Sequence, residues 1–154
     1  MLSKEDFKKI KNLTREFFKK TTFEVEIKFL PKRENTLPIE LKTEDPQILI
    51  GEKGQTLIDI QRLLKAILRR KIPDFAGYID LDINDYKKKK IKYLKEVARS
   101  VADEVSLTKK EKILFPMHAY ERRIIHLELA ERNDVTTESI GGEPERRVVV
   151  RPYP

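Results

Sequence analysis

At 154 residues the chain has room for one ordinary domain or two small ones, and 33 lysines and arginines against 26 acids give a net charge of +7. That balance suits a polyanionic partner, either nucleic acid or an anionic membrane surface. The absence of cysteine excludes disulfides, thiolate zinc sites and cysteine nucleophiles.

The start, Met1-Leu2-Ser3-Lys4-Glu5-Asp6-Phe7, lacks the apolar core of a signal peptide, and no run has the length to span a bilayer, so the expectation is a cytoplasmic protein without membrane insertion. Ser3 with Asp6 three residues on forms an N-cap pair. Phe7, Ile10, Leu13 and Phe17 then recur at steps of three and four, which predicts an amphipathic helix over residues 4–20. Alternation from Phe23 to Phe29 predicts a half-buried strand, and Pro31 to Thr36 make a turn. Leu37, Ile39 and Leu41 alternate as a second strand, with Pro38 expected at a sheet edge. A short helix over residues 46–50 leads to Gly51-Glu52-Lys53-Gly54. Beyond it Leu57, Ile60, Leu64 and Ile67 stripe a helix from Gln55 to Lys71, with Arg62, Lys65 and Arg69 towards its other face. Pro73 closes this helix, and Ile79, Leu81 and Ile83 give a third strand. The order is α-β-β-α-loop-α-β.

A second unit is predicted from residue 85. Ile91, Leu94, Val97, Val101 and Val105 mark a long helix whose first turn carries the run Lys87–Lys90. Four positive charges there oppose the helix dipole, so the run reads either as a solvated face or as a source of non-specific, salt-sensitive affinity for a polyanion. Pro116 suits the first position of a further helix, on which Arg122 and His126 stand four apart and project from one face. Two strands, 135–140 and 147–150, follow about a turn at Gly141-Gly142-Glu143-Pro144, with Arg146 and Arg147 just beyond it.

Two motifs carry the chemistry. The glycines of Gly51-Glu52-Lys53-Gly54 permit positive φ and a close approach of a phosphodiester chain, while the following helix start, Gln55 and Thr56, offers amides and a positive dipole end. An exposed arginine with a histidine one turn on offers charge, donors and two planar groups for unpaired bases. A G-x-x-G loop in this element order resembles the KH module. Arg122 to His126 resemble the R-x-x-x-H domain. With Pro116-Met117, Glu121-Arg122-Arg123-Ile124-Ile125-His126, Thr136-Thr137-Glu138-Ser139-Ile140-Gly141 and Glu143-Pro144-Glu145-Arg146-Arg147, the chain from about residue 20 resembles the Jag (SpoIIIJ-associated) family. Many Jag proteins carry a further small domain ahead of the KH unit, where this chain has one helix.

The expected fold is therefore α+β in two small domains. Residues 1–22 form an N-terminal helix packed on a KH unit of residues 23–84 (α-β-β-α-α-β, a three-stranded sheet with helices on one face), and residues 85–154 an R-x-x-x-H unit of helices packed on a small sheet. The resemblance implies a bacterial, cytoplasmic protein that binds single-stranded RNA. It further implies post-transcriptional control linked to cell elongation and division or to sporulation, and in some relatives a smaller KH protein as partner. The expected contacts are Gly51, Glu52 (pointing away), Lys53 (on phosphate), Gly54, Gln55, Thr56, Arg62, Arg122, Arg123, His126 and Arg146. The plainer readings are a helix-to-helix turn for the loop, a buried helix-to-sheet tether for His126 and a carboxylate pair for Arg123. Single-stranded DNA binding and a protein-interaction scaffold are the rival functions. No enzyme is expected, since the chain shows no convincing triad, phosphate-binding Walker pattern or metal cluster. Asp80, Asp82 and Asp85 are read as a solvent-facing carboxylate cluster, and no cofactor or metal is expected.

Overall fold

The computed structural model describes residues 3–73 and 75–153. Its elements run α1 (Lys4–Lys19), β1 (Glu26–Phe29), β2 (Thr36–Lys42), α2 (Pro46–Ile50), α3 (Gln55–Lys71), β3 (Tyr78–Ile83), α4 (Tyr86–Thr108), β4 (Lys112–Ile113), α5 (Ala119–Leu129), β5 (Val135–Ile140) and β6 (Arg147–Pro152). The fold is α+β, with two three-stranded sheets ordered β1-β2-β3 and β4-β6-β5. The chain divides into two compact units between Lys87 and Lys88.

In the first unit Ser3 caps α1, its Oγ accepting from the Asp6 amide at 3.0 Å while Asp6 accepts from the Ser3 amide. Ile10 and Phe18 are buried, and the Thr14 hydroxyl satisfies itself on the Ile10 carbonyl. Strand β1 is shorter than the alternation suggests. It pairs antiparallel with β2 only from Glu26, opposite the last β2 residue, Lys42, so residues 23–25 have no strand beside them. Phe23 and Val25 nevertheless pack against the core.

Pro38 does not mark an edge, because β2 is the central strand. Its carbonyl accepts from Leu30, one residue past the end of β1, so the missing N–H falls where the β1 ladder has already stopped. The parallel pairing of β2 with β3 matches Thr36–Leu41 to Tyr78–Ile83. Its crossover is α2, the glycine loop and α3, with Leu57, Leu64 and Leu68 buried along α3. The Gln61 side chain reaches from α3 to accept the Leu81 amide at 3.0 Å, which satisfies a donor of edge strand β3.

Asp82 is a second departure from the sequence reading: it is buried. Its Oδ1 accepts the Ile83 and Lys87 amides at 2.8 and 2.9 Å, a carboxylate at the amino end of α4. That anion offsets the unfavourable lysine run against the helix dipole. The run itself is partly committed to structure. Lys87 Nζ donates to Asp80 at 2.7 Å and to Gln61 at 2.9 Å, and Lys90 pairs with Glu121 at 3.4 Å.

In the second unit α4 and α5 close over β4-β6-β5, burying Leu94, Ala98, Val101, Ile125, Val148 and Val150. Helix α5 starts at Ala119, not at Pro116, because His118 is its N-cap residue and donates its backbone N–H to Glu121 at 2.8 Å. The β4 pairing, Lys112 to Val150 and Ile113 to Val149, was not legible in the sequence. No helix among the described residues is long and apolar enough to cross a membrane.

Candidate nucleic-acid interface

The glycine loop is held by its own geometry. Gly51 has φ +72°, and a Cβ there would lie 2.0 Å from Thr56 Oγ1 and 2.9 Å from the Thr56 amide nitrogen. Gly54 has φ +80°, and a Cβ would meet the Tyr86 ring at 3.0–3.1 Å. Both glycines are thus required by the turn between α2 and α3. Gly54 is buried, so the exposed surface of the loop is made by Glu52 and Lys53, and Lys53 itself takes a left-handed conformation at φ 52°. That strain is held in place by the amides of Gly54 and Gln55, which return to the Gly51 and Glu52 carbonyls. Gln55 is occupied by Asp59 at 2.9 Å, and the exposed Arg62 lies 3.7 Å from the same carboxylate. Thr56 is half-buried against Gly51.

In the second unit the four-residue spacing does place Arg122 and His126 on one face of α5, but that face borders the core. Arg122 is buried at 7% exposure, whereas the sequence reading had it exposed. Its Nη1 donates to the Met117 carbonyl at 2.8 Å and to Glu143 at 2.9 Å, so it ties the start of α5 to the β5–β6 turn. His126 is half-buried, with Nδ1 2.7 Å from Thr137 Oγ1 and Nε2 2.8 Å from Ser139 Oγ on β5. Burial first, and the neighbouring Arg122 charge second, hold its pKa below the ordinary histidine value. The neutral ring donates through one nitrogen and accepts through the other, which matches two hydroxyl partners.

Arg123 is the exposed arginine of the pair, and no carboxylate among the described residues engages it. An open concavity of about 470 Å³ is lined by Ala119, Tyr120, Arg122, Arg123, His126, Leu127 and Ser139. Tyr120 stacks with His118 at 6.2 Å and an interplanar angle of 11°, and Leu127 is 62% exposed. The surface therefore combines a cation, an aromatic ring and an apolar side chain beside hydroxyls. Tyr120, Leu127 and Ser139 were not among the expected contacts. The available signal was the spacing Tyr120-Arg123-Leu127, which lines one helical face at steps of three and four. Arg146 is not part of this lining. It is half-buried, its carbonyl accepts from the Met117 amide at 3.1 Å, and its Nε is buried without a partner.

The stretch that builds this concavity also matches a known family: residues 92–152 match the model of the R-x-x-x-H domain. The second unit carries an R-x-x-x-H domain. The chain is also homologous to proteins named RNA-binding protein KhpB. It is 37% identical over 117 residues to that of Clostridium symbiosum, covering 76% of this chain and 52% of that protein. To that of Lactiplantibacillus plantarum it is 37% identical over 112 residues, covering 73% and 34%. To that of Bacillus subtilis it is 32% identical over 117 residues, covering 75% and 56%. The aligned part thus amounts to between a third and rather more than half of these relatives. The family match contains Arg122, Arg123, His126 and Arg146, while the glycine loop lies outside it.

Proposed function

We propose that this chain binds single-stranded RNA through two modules, a KH-type first unit and the R-x-x-x-H domain. The concavity beside Arg123 and His126, within the stretch that matches that domain, carries the reading. There Arg123 supplies charge to a phosphate, Tyr120 and Leu127 supply surface for an unstacked base, and the Ser139 hydroxyl, held in place by His126, supplies a hydrogen-bonding group at the wall. Arg122 acts from behind as a positioning residue, holding the start of α5 and adding positive potential. In the first unit the tip of the loop, Lys53, meets the backbone, and Glu52 points away from it. Gly51, Gly54 and Thr56 hold the loop shape, while Gln55 and Arg62 remain secondary contacts because Asp59 engages both. Arg146 steadies the turn before β6. Two weak sites on one chain raise apparent affinity through effective concentration.

The relatives' name, RNA-binding protein KhpB, supports RNA as the ligand. The role suggested by the Jag resemblance is bacterial post-transcriptional control linked to elongation and division or to sporulation, with a smaller KH protein as partner. The reading makes this a binding protein of the cytoplasm and not an enzyme. Fluorescence-anisotropy titration of short single-stranded RNA, beside DNA of matched sequence, tests it with Lys53→Asp and Arg123→Asp. Each variant should weaken RNA binding about tenfold or more, as expected for loss of a charge-assisted contact plus a repulsive charge. Wild-type affinity in both would refute the two-module reading.

A further inference from the structure

A one-signed surface of the first unit lies away from both the glycine loop and the lysine run. On α1, Lys4, Lys8, Lys11, Arg15 and Lys19 follow one another at steps of four, three, four and four. At about 100° per residue they fall within an arc of about 80°, and the row extends about 22 Å along the helix. The adjoining face is buried on Ile10 and Phe18. The acids of α1 lie off the row: Glu5 pairs with Lys9 at 3.7 Å, Glu16 with Lys20 at 3.0 Å, and Asp6 is taken by Ser3. None of the five row cations has a carboxylate partner among the described residues. Lys11 and Arg15 are both held 5.6 Å from the Phe29 ring on edge strand β1. Below them Arg15, Lys19, Phe18, Phe23, Val25 and Ile27 line an open groove of about 440 Å³, with one acid, Glu24, at its wall.

We infer that this face of α1 is an additional track for the phosphodiester backbone of single-stranded nucleic acid, with Phe29 and the groove beneath Arg15 and Lys19 receiving bases. A row of cations repeating once per helical turn, bordered by aromatic and apolar surface, is what binding without sequence preference requires. Holding two cations on a ring lowers the entropy lost when they grip phosphate. A membrane surface fits less well, because the apolar face that α1 would bury in lipid is already buried in the protein. The track is distinct from the glycine loop. Glu16 feels the charge of Lys71, which puts the carboxyl ends of α1 and α3 side by side, and the loop is at the opposite end of α3.

The inference extends the proposed RNA binding and rests on it. The test titrates the full chain with a 20-nucleotide RNA, and with DNA of matched sequence, across salt concentrations. Replacing Lys8, Lys11, Arg15 and Lys19 together by Gln should make the slope of log affinity against log salt shallower by about three, at about 0.7 for each phosphate no longer neutralised. Replacing Lys8 and Lys19 alone by Gln should make the slope shallower by about 1.4, whereas Lys9→Gln with Lys20→Gln, which removes the same two charges off the row, should leave it unchanged. A slope and affinity equal to wild type in the four-site variant overturn the track, even where Arg123→Asp still weakens binding and so upholds the R-x-x-x-H site. Failure of the wild type to bind either nucleic acid overturns both. Row-dependent sedimentation with phosphatidylserine vesicles, with an unchanged nucleic-acid slope, assigns the row to membranes and overturns the track. Photocrosslinking of 4-thiouridine RNA to the unaltered chain avoids any folding defect. Crosslinks within residues 4–29 are expected, and their absence overturns the inference.

Discussion

Arg122 and Arg123 are neighbours with opposite predicted phenotypes. Arg122→Ala removes a guanidinium that is 7% exposed and donates to the Met117 carbonyl at 2.8 Å. Leaving that buried acceptor without its donor costs about 1–3 kcal/mol. The Glu143 end of the pair counts for little, because Glu143 is 57% exposed and water screens it. Losing the packed aliphatic stem adds about 1 kcal/mol, for a total near 3 kcal/mol. In a unit of this size that lowers the melting midpoint by roughly 10 °C or more. Arg123→Ala should leave the midpoint in place and weaken single-stranded RNA binding about tenfold. Hydrogen exchange of α5 and β5 amides reads the first effect within the second unit, and anisotropy titration reads the second. If Arg122→Ala exchanges like wild type while Arg123→Ala binds like wild type, the division of labour between the two arginines is wrong.

Gly51→Ala should destabilise the first unit by about 2 kcal/mol or more, since the added Cβ would lie 2.0 Å from Thr56 Oγ1 at a positive φ. Gly142→Ala, with nothing within 4 Å of its Cβ, should be neutral, and urea denaturation compares the two. Asp82→Ala should cost about 1–2 kcal/mol by stranding the Ile83 and Lys87 amides, read as a lower urea midpoint; an unchanged midpoint would mean water replaces the carboxylate. For His126 the folded pKa lies below the unfolded value of 6.5, so the unfolded chain binds the proton more readily. Stability should therefore be complete above pH 6.5 and fall as the pH drops towards the folded pKa. His126→Gln should remove that part of the pH dependence in denaturation curves at about pH 7.5 and about pH 5.5, on either side of the ordinary histidine value. An identical profile in the variant would show that the proton is taken up elsewhere.

Local chemistry was enough to place most elements. The Ser3 cap, the three-and-four spacing of α1 and α3, and the alternation in β2 and β3 are encoded within a few residues of where they act. The glycine loop and the Arg122–His126 spacing were legible for the same reason. Spacing reports which residues share a helix face and says nothing of what lies opposite that face. Arg122 and His126 stand in line with Ile125 and Leu129, and β5 with the turn before β6 closes over that line. Only the tertiary structure could therefore bury Arg122 and pass the exposed role to Arg123. Pro38 is a similar case, since its place in a central strand depends on where β1 ends, a fact of pairing between distant segments. Asp82 alternates like a solvent-facing residue, and becomes a buried cap only because α4 begins at Tyr86 and brings the Lys87 amide to that carboxylate. Periodicity is a local property, but burial depends on which segments meet.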